Sequence, residues 1–300
     1  MHQSDIRICC LRQKMLPNGK CNDYIQEDLD KYNLILGISL IGFVLTIAVY
    51  LYVEKLRNVL GKCLICCIFC RLVLFALMIL DDLSLLNDFS SSAGYSAYFF
   101  KIASYFWDTV ISFHLWKTLT SLATDEPRFR FLKFSAFVWG IAAIPTGVIY
   151  YLNRINSGDF DKWVQMHSVT LHECYVTVWK FYTWTFNGAP ILILGSFNVT
   201  MFTLTVIYIR KVKSQLKKFT PDDDRTTGCF NFSSQNYLLF LRLSVVMGIS
   251  WILNAITFGP HYDLWGQVFR IVDYIHGSMG VIIFALLILK RSTIELIKKR

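Results

Sequence analysis

The chain has 300 residues, 54% hydrophobic and 16% aromatic, with a mean hydropathy of +0.44. So much apolar surface excludes an ordinary water-soluble domain and places the sequence in the membrane class. The formal charge of +9 does not indicate a nucleic-acid partner, because the basic residues follow the order of the apolar stretches instead of forming one patch.

In chain order, residues 1–32 are polar and contain Cys9, Cys10 and Cys21. They lack the apolar core of a cleavable signal peptide, so they read as a short extracellular segment and the first apolar stretch must direct insertion. About thirty residues are too few for a stable core without staples. Seven apolar stretches follow: Asn33–Val53, Cys63–Leu86, Tyr95–Leu122, Phe134–Asn153, Asn187–Ile209, Leu238–Gly259 and Gln267–Lys290. Each reaches the roughly 20 residues that cross about 30 Å of hydrocarbon. Lipid offers no partners to the backbone, so each stretch is expected to be a helix. The expected architecture is an all-α, seven-transmembrane bundle over 33–293, with a short cytoplasmic tail at 294–300.

The basic residues orient it. With the amino terminus outside, the inner connections and tail hold 17 Lys and Arg, and the outer segments hold 8. Basic residues stay cytoplasmic, so the expected topology is amino terminus out and carboxyl terminus in. The tail Lys290–Arg300 is amphipathic and suited to lie on anionic inner-leaflet lipid, making membrane lipid a partner. The plasma membrane is the expected location.

Two connections are long. Arg154–Phe186 is outer and carries Trp163, Trp179, Trp184 and Cys174. Arg210–Tyr237 is inner, and its start keeps helical spacing, with Val212 and Leu216 on one face. It reads as the fifth helix projecting past the membrane, either as a solvated helix end or as a docking surface. Cys63, Cys66, Cys67 and Cys70 gather in the second span. Helical spacing turns them to more than one face, which argues for buried thiols over a metal site. The sequon at Asn198 falls inside a span, where no glycan is expected.

Ionisable groups inside spans are costly and usually face a partner or a cavity. Lys101 and Asp108 lie seven residues apart on one face of the third helix, about 10 Å along its axis. Arg270, Asp273 and His276 share a side of the seventh. Asp81 and Asp82 lie near the outer end of the second, with Arg71 nearer its inner half. Two readings stand: internal pairing, such as Lys101 with Asp81, Asp82 or Asp273, or a polar outer cavity between helices two, three and seven. Arg71 has no countercharge nearby in sequence, so it either snorkels or pairs across the bundle. No catalytic constellation, metal spacing or phosphate loop is present in the sequence, so neither an enzyme nor a cofactor is expected.

Six fragments then carry a family resemblance. They are Leu56-Arg-Asn-Val-Leu-Gly-Lys-Cys63, Phe106-Trp-Asp-Thr-Val-Ile-Ser-Phe-His-Leu-Trp116, Trp139-Gly140 with Pro145, and Asn198 ahead of Ile207-Tyr-Ile-Arg-Lys-Val-Lys213. Leu241-Arg-Leu-Ser-Val-Val-Met-Gly-Ile-Ser-Trp251 and Gly280–Thr293 complete the set. In this order they resemble the seven-helix domain of insect Methuselah-like receptors, a branch of secretin-like (class B) G-protein-coupled receptors, over about Leu34 to Thr293. The resemblance implies an extracellular ligand of unidentified kind, peptides included, ligand-triggered opening of the inner face, and coupling to a heterotrimeric G protein. Family members usually carry a large ectodomain, here missing or severely shortened. The usual bridge from helix three to the second outer loop lacks a cysteine between Asn87 and Lys101, leaving Cys174 to pair with Cys9, Cys10 or Cys21. His114 stands where an acidic residue is expected, and Met279-Gly280 where the family has Gln-Gly.

On this reading the ligand-cavity residues are Asp81, Asp82, Lys101, Asp108, Trp251, Asp273 and His276. The G-protein contact is formed by Arg128, Arg130, Arg210, Lys211, Lys213, Lys217 and Lys218. Trp139 and Gly140 are expected to pack the fourth helix. The rival readings are a non-signalling relative acting as escort or decoy, and a transporter or channel using the charges as an ion path.

Overall fold

The computed structural model describes residues 23–83, 85, 90–120, 129–155, 188–219 and 266–289, and the regular structure among them is entirely helical. Helix α1 spans Asp23–Tyr52, and a short 3-10 turn at Glu54–Leu56 leads to α2, Val59–Asp82. Then come α3, Ser90–Thr120; α4, Arg130–Ile155; and α5, Ala189–Phe219. The seventh expected span is made by α6, Gly266–Gly277, and α7, Met279–Leu287. The expected sixth span, Leu238–Gly259, lies outside the described residues.

Among the described residues, four stretches are long and apolar enough to cross a membrane: Asp30–Tyr52, Val59–Asp81, Arg130–Tyr151 and Ala189–Tyr208. Helix α3 is equally long, with 31 residues, but carries Lys101, Ser104, Asp108, Ser112 and His114. Its position accounts for this composition. It packs against α2, α4 and α5 together, so Ser104, Asp108, Ser112 and His114 are buried in protein and do not face lipid. Helix α4 shows the converse, with Leu132, Phe137, Ile144 and Tyr151 on its open side.

The core lies where α3 meets its neighbours. Trp107, fully buried, stacks on Phe131 of α4 at 6.2 Å and meets Trp139 edge-on at 6.0 Å. Trp139 also stacks on Phe99 at 5.7 Å, so it packs α4 as expected. Its neighbour does not: a side chain added at Gly140 would meet nothing within 4 Å among the described residues, because Gly140 lies on the exposed side of α4. The expectation that Gly140 serves packing is therefore corrected.

Helices α1 and α5 both exceed the expected spans. Helix α1 begins ten residues before the apolar stretch at Asn33, and α5 continues past Ile209 to Phe219. The seventh span is not the continuous helix expected over Gln267–Lys290, because it breaks at Ser278. The Ser39 hydroxyl of α1 donates to the Gly277 carbonyl at this interruption, while the Ser278 N–H still donates to the Tyr274 carbonyl and the Ile282 N–H to that of Ser278. Beside the interruption the backbones of α1 and α7 nearly touch. A Cβ on Gly42 would lie 2.7 Å from the Gly280 carbonyl oxygen, and one on Gly280 would overlap the Ser39 carbonyl. Apolar lipid gives helices little reason to associate, and small residues that permit such contact supply the packing.

Candidate functional site

The polar core is built where α2 runs antiparallel to α3. Arg71 and Asp108 meet at 2.8 Å from Nη2 to Oδ2, with side chains 9% and 3% exposed. The other carboxylate oxygen accepts from the Cys67 thiol at 3.2 Å, and that sulfur also approaches the Ser104 carbonyl at 3.9 Å. Arg71 thus pairs across the bundle and does not snorkel. Asp108 finds its countercharge on α2, one turn and more from the lysine that shares its own helix face. Cys63, Cys67 and Cys70 are buried, Cys66 is half-buried, and all four are free thiols.

His276 of α6 packs on α2. Its ring lies 5.8 Å from Phe75, which in turn meets Phe43 of α1 at 5.3 Å. Arg71 and Lys101 are both within electrostatic range of the His276 ring. Lys101 is half-buried on α3, in the turns between Asp108 and the α3 amino terminus. Of the expected cavity residues, the structure places Asp108 in the buried pair with Arg71, Lys101 two helical turns away on the same face of α3, and His276 on α6 against Phe75 of α2. Asp81 lies ten residues further along α2, about 15 Å at helical rise. Asp82 and Asp273 sit on α2 and α6, but their side chains fall outside the described set, as does Trp251 altogether.

Beyond its apolar stretch, α5 carries Arg210, Lys211, Lys213, Lys217 and Lys218, with Arg210 and Lys211 exposed. The side chains of Lys213, Lys217 and Lys218 are not described. Arg130 opens α4, half-buried, whereas Arg128 lies outside the described residues, as do Cys174, Cys9, Cys10 and Cys21. Higher in α5, Asn198 is buried and donates to Thr109 of α3 at 3.1 Å and to the Leu194 carbonyl at 2.9 Å. Its amide joins two helices, which a glycan would prevent. His114 is buried against Phe134 of α4, with ring centres 6.0 Å apart.

Sequence reasoning missed the Arg71–Asp108 partnership and the Ser39–Gly277 bond. Depth matching holds the signal for the first: both charges lie twelve residues in from the facing ends of antiparallel helices, 59 to 71 and 108 to 120. For the second, only the run of small residues Ser39, Gly42 and Thr46 hints at a close helix contact.

Apolar helices closed around a buried ion pair are the build of a multi-pass membrane protein. The seven-transmembrane receptor domain of the secretin family matches residues 31–282, and the chain belongs to that family. It is similar to the probable G-protein coupled receptor Mth-like 7 of Drosophila melanogaster, 51% identical over 260 residues, covering 86% of this chain and 53% of the relative. The probable G-protein coupled receptor Mth-like 12 of the same fly is 46% identical over 266 residues, 88% of this chain and 54% of the relative. The fly G-protein coupled receptor Mth is 35% identical over 286 residues, 93% of this chain and 54% of the relative. The chain spans about half the length of these relatives. The resemblance to Methuselah-like receptors is borne out, as is a multi-pass protein fitted to the plasma membrane.

Proposed function

We propose that the chain senses an extracellular ligand through the outer half of its bundle and activates a heterotrimeric G protein at its inner face. The observation that carries this reading is the Arg71–Asp108 pair buried at mid-depth, with Lys101 two turns further toward the outer end of α3 and His276 on α6 within electrostatic reach of Arg71 and Lys101. Charges held between helices cost free energy that a purely structural bundle could avoid with apolar side chains. Grouped on three different helices, they offer a set of contacts that differs between helix arrangements, which is what a ligand needs in order to shift an equilibrium. Charges confined to the middle and outer part of the bundle, with a basic helix end beyond its inner side, favour a receptor over an ion path. Such a protein works by binding and carries no catalytic group.

With the amino terminus outside, the eleven residues of α5 beyond Tyr208 extend about 16 Å from the apolar stretch. They form the contact for the G protein, together with Arg128 and Arg130. Reversing Lys213, Lys217 and Lys218 to glutamate abolishes G-protein activation while surface expression stays near normal. Second-messenger output unchanged by the triple reversal rules this contact out. Surface expression is read in the same cells, because charge reversal also acts on topology.

A further inference from the structure

The end of the bundle that holds the α1–α2 turn carries a second cationic group, separate from the α5 extension. We propose that it is a binding site for the headgroup of a polyphosphorylated inositol lipid. Lys55 and Arg57 lie on the turn, Lys62 on the first turns of α2, and Arg130 and Lys133 on the first turns of α4. Lys55, Arg57, Lys62 and Lys133 are exposed and Arg130 is half-buried. The apolar stretches of α2 and α4 start at Val59 and Arg130, and that of α1 ends at Tyr52, so all five cations sit at one membrane boundary.

Two features distinguish this group from loosely placed topology charge. The Lys62 ammonium lies over the Phe131 ring, 5.7 Å from its centre, and Phe131 stacks on the buried Trp107. This contact ties the start of α2 to the start of α4 and fixes the distance between their cations. The turn is also fixed. A side chain at Gly61 would overlap the Leu56 carbonyl, and the Asn58 side chain accepts from Gly61 N at 2.8 Å. Lys55 and Arg57 therefore project from a turn closed by these contacts, with Glu54 as an exposed acidic partner of Arg57 at 3.4 Å.

The flanking surface identifies the partner as amphiphilic. Phe129 and Leu132 are 64% and 63% exposed on the same turns as Arg130 and Lys133. A soluble acidic peptide would leave these side chains in contact with water or lipid unchanged, whereas an acidic lipid covers them with its acyl chains while its phosphates meet the cations. Several phosphates on one ring match cations drawn from two helices and a turn. A single phosphoserine headgroup spans fewer of them. Inositol lipids of this kind occupy the cytosolic leaflet, so their use in the cell rests on the amino-terminus-out topology proposed above.

The test uses the full chain in nanodiscs, where both leaflets carry the chosen lipid and binding is measured independently of topology. The discs contain phosphatidylcholine with either phosphatidylinositol 4,5-bisphosphate or enough phosphatidylserine to match its charge, and lipid retained on the protein is read by native mass spectrometry. Retention of the bisphosphate exceeds that of phosphatidylserine, and K62Q/K133Q lowers it about thirtyfold, as two lost lysine–phosphate attractions imply. K213Q/K217Q/K218Q on α5 leaves it unchanged. The single K133Q, at an exposed position, gives a partial loss if the double variant folds poorly. Equal retention of the two lipids at matched charge, or equal losses in the α2/α4 and α5 variants, overturns the site in favour of diffuse attraction.

Discussion

Replacing Asp108 by asparagine tests whether the buried pair holds the bundle. The substitution keeps the shape and removes the charge, leaving Arg71 at mid-depth without its partner at 2.8 Å. Breaking one side of a buried pair costs about 3–5 kcal/mol, because the remaining charge is still desolvated. Insertion measurements for an isolated arginine at a helix centre give a similar figure of about 2.5–3.5 kcal/mol. The surface pair Arg57–Glu54 provides the control at 3.4 Å, with side chains 44% and 68% exposed, and such pairs contribute at most about 1 kcal/mol. Thermal inactivation of purified protein should therefore show a large fall for D108N and R71Q and almost none for E54Q. Removing both charges in R71M/D108L should recover much of the loss, since neither charge is then stranded. Losses that add fully in the double variant, or a D108N as mild as E54Q, would refute the argument.

Gly280→Ala should sharply reduce surface abundance, because its methyl group overlaps the Ser39 carbonyl, while Gly140→Ala should be nearly neutral on an open helix side. Quantifying both on intact cells checks the α1–α7 contact, and equal effects would contradict it. Epitope tags at the two ends should be reached by antibody on intact cells at the amino terminus only, with the carboxyl tag exposed after permeabilisation. A carboxyl tag accessible on intact cells would overturn the topology.

Much of the fold was legible in the apolar runs, since a stretch such as Asn33–Val53 has no stable alternative to a helix in lipid. The extension of α5 to Phe219 was also readable, from Val212 and Leu216 keeping helical spacing among lysines. Helix ends were less so: α1 starts at Asp23 because polar residues continue a helix once the apolar part has nucleated it. The interruption at Ser278 could not be read locally. It lies beside the bond from Ser39, 238 residues away in separation from Gly277, and beside two glycines that look unremarkable in sequence. The same holds for the polar core. Lys101 and Asp108 share a helix face, as the spacing requires, yet the partner of Asp108 is set by the antiparallel register of α2. Gly140 misled because glycine in a membrane helix suggests contact, and only the packing reveals that its side of α4 is open.

Activation of a G protein by this chain is read by expressing it at graded surface levels and following heterotrimer dissociation for each Gα class in turn. At least one class should respond in proportion to surface receptor, and the response should disappear with Lys213, Lys217 and Lys218 reversed to glutamate. A flat response in every class, at surface levels where related receptors signal, would contradict it and favour an escort or decoy role.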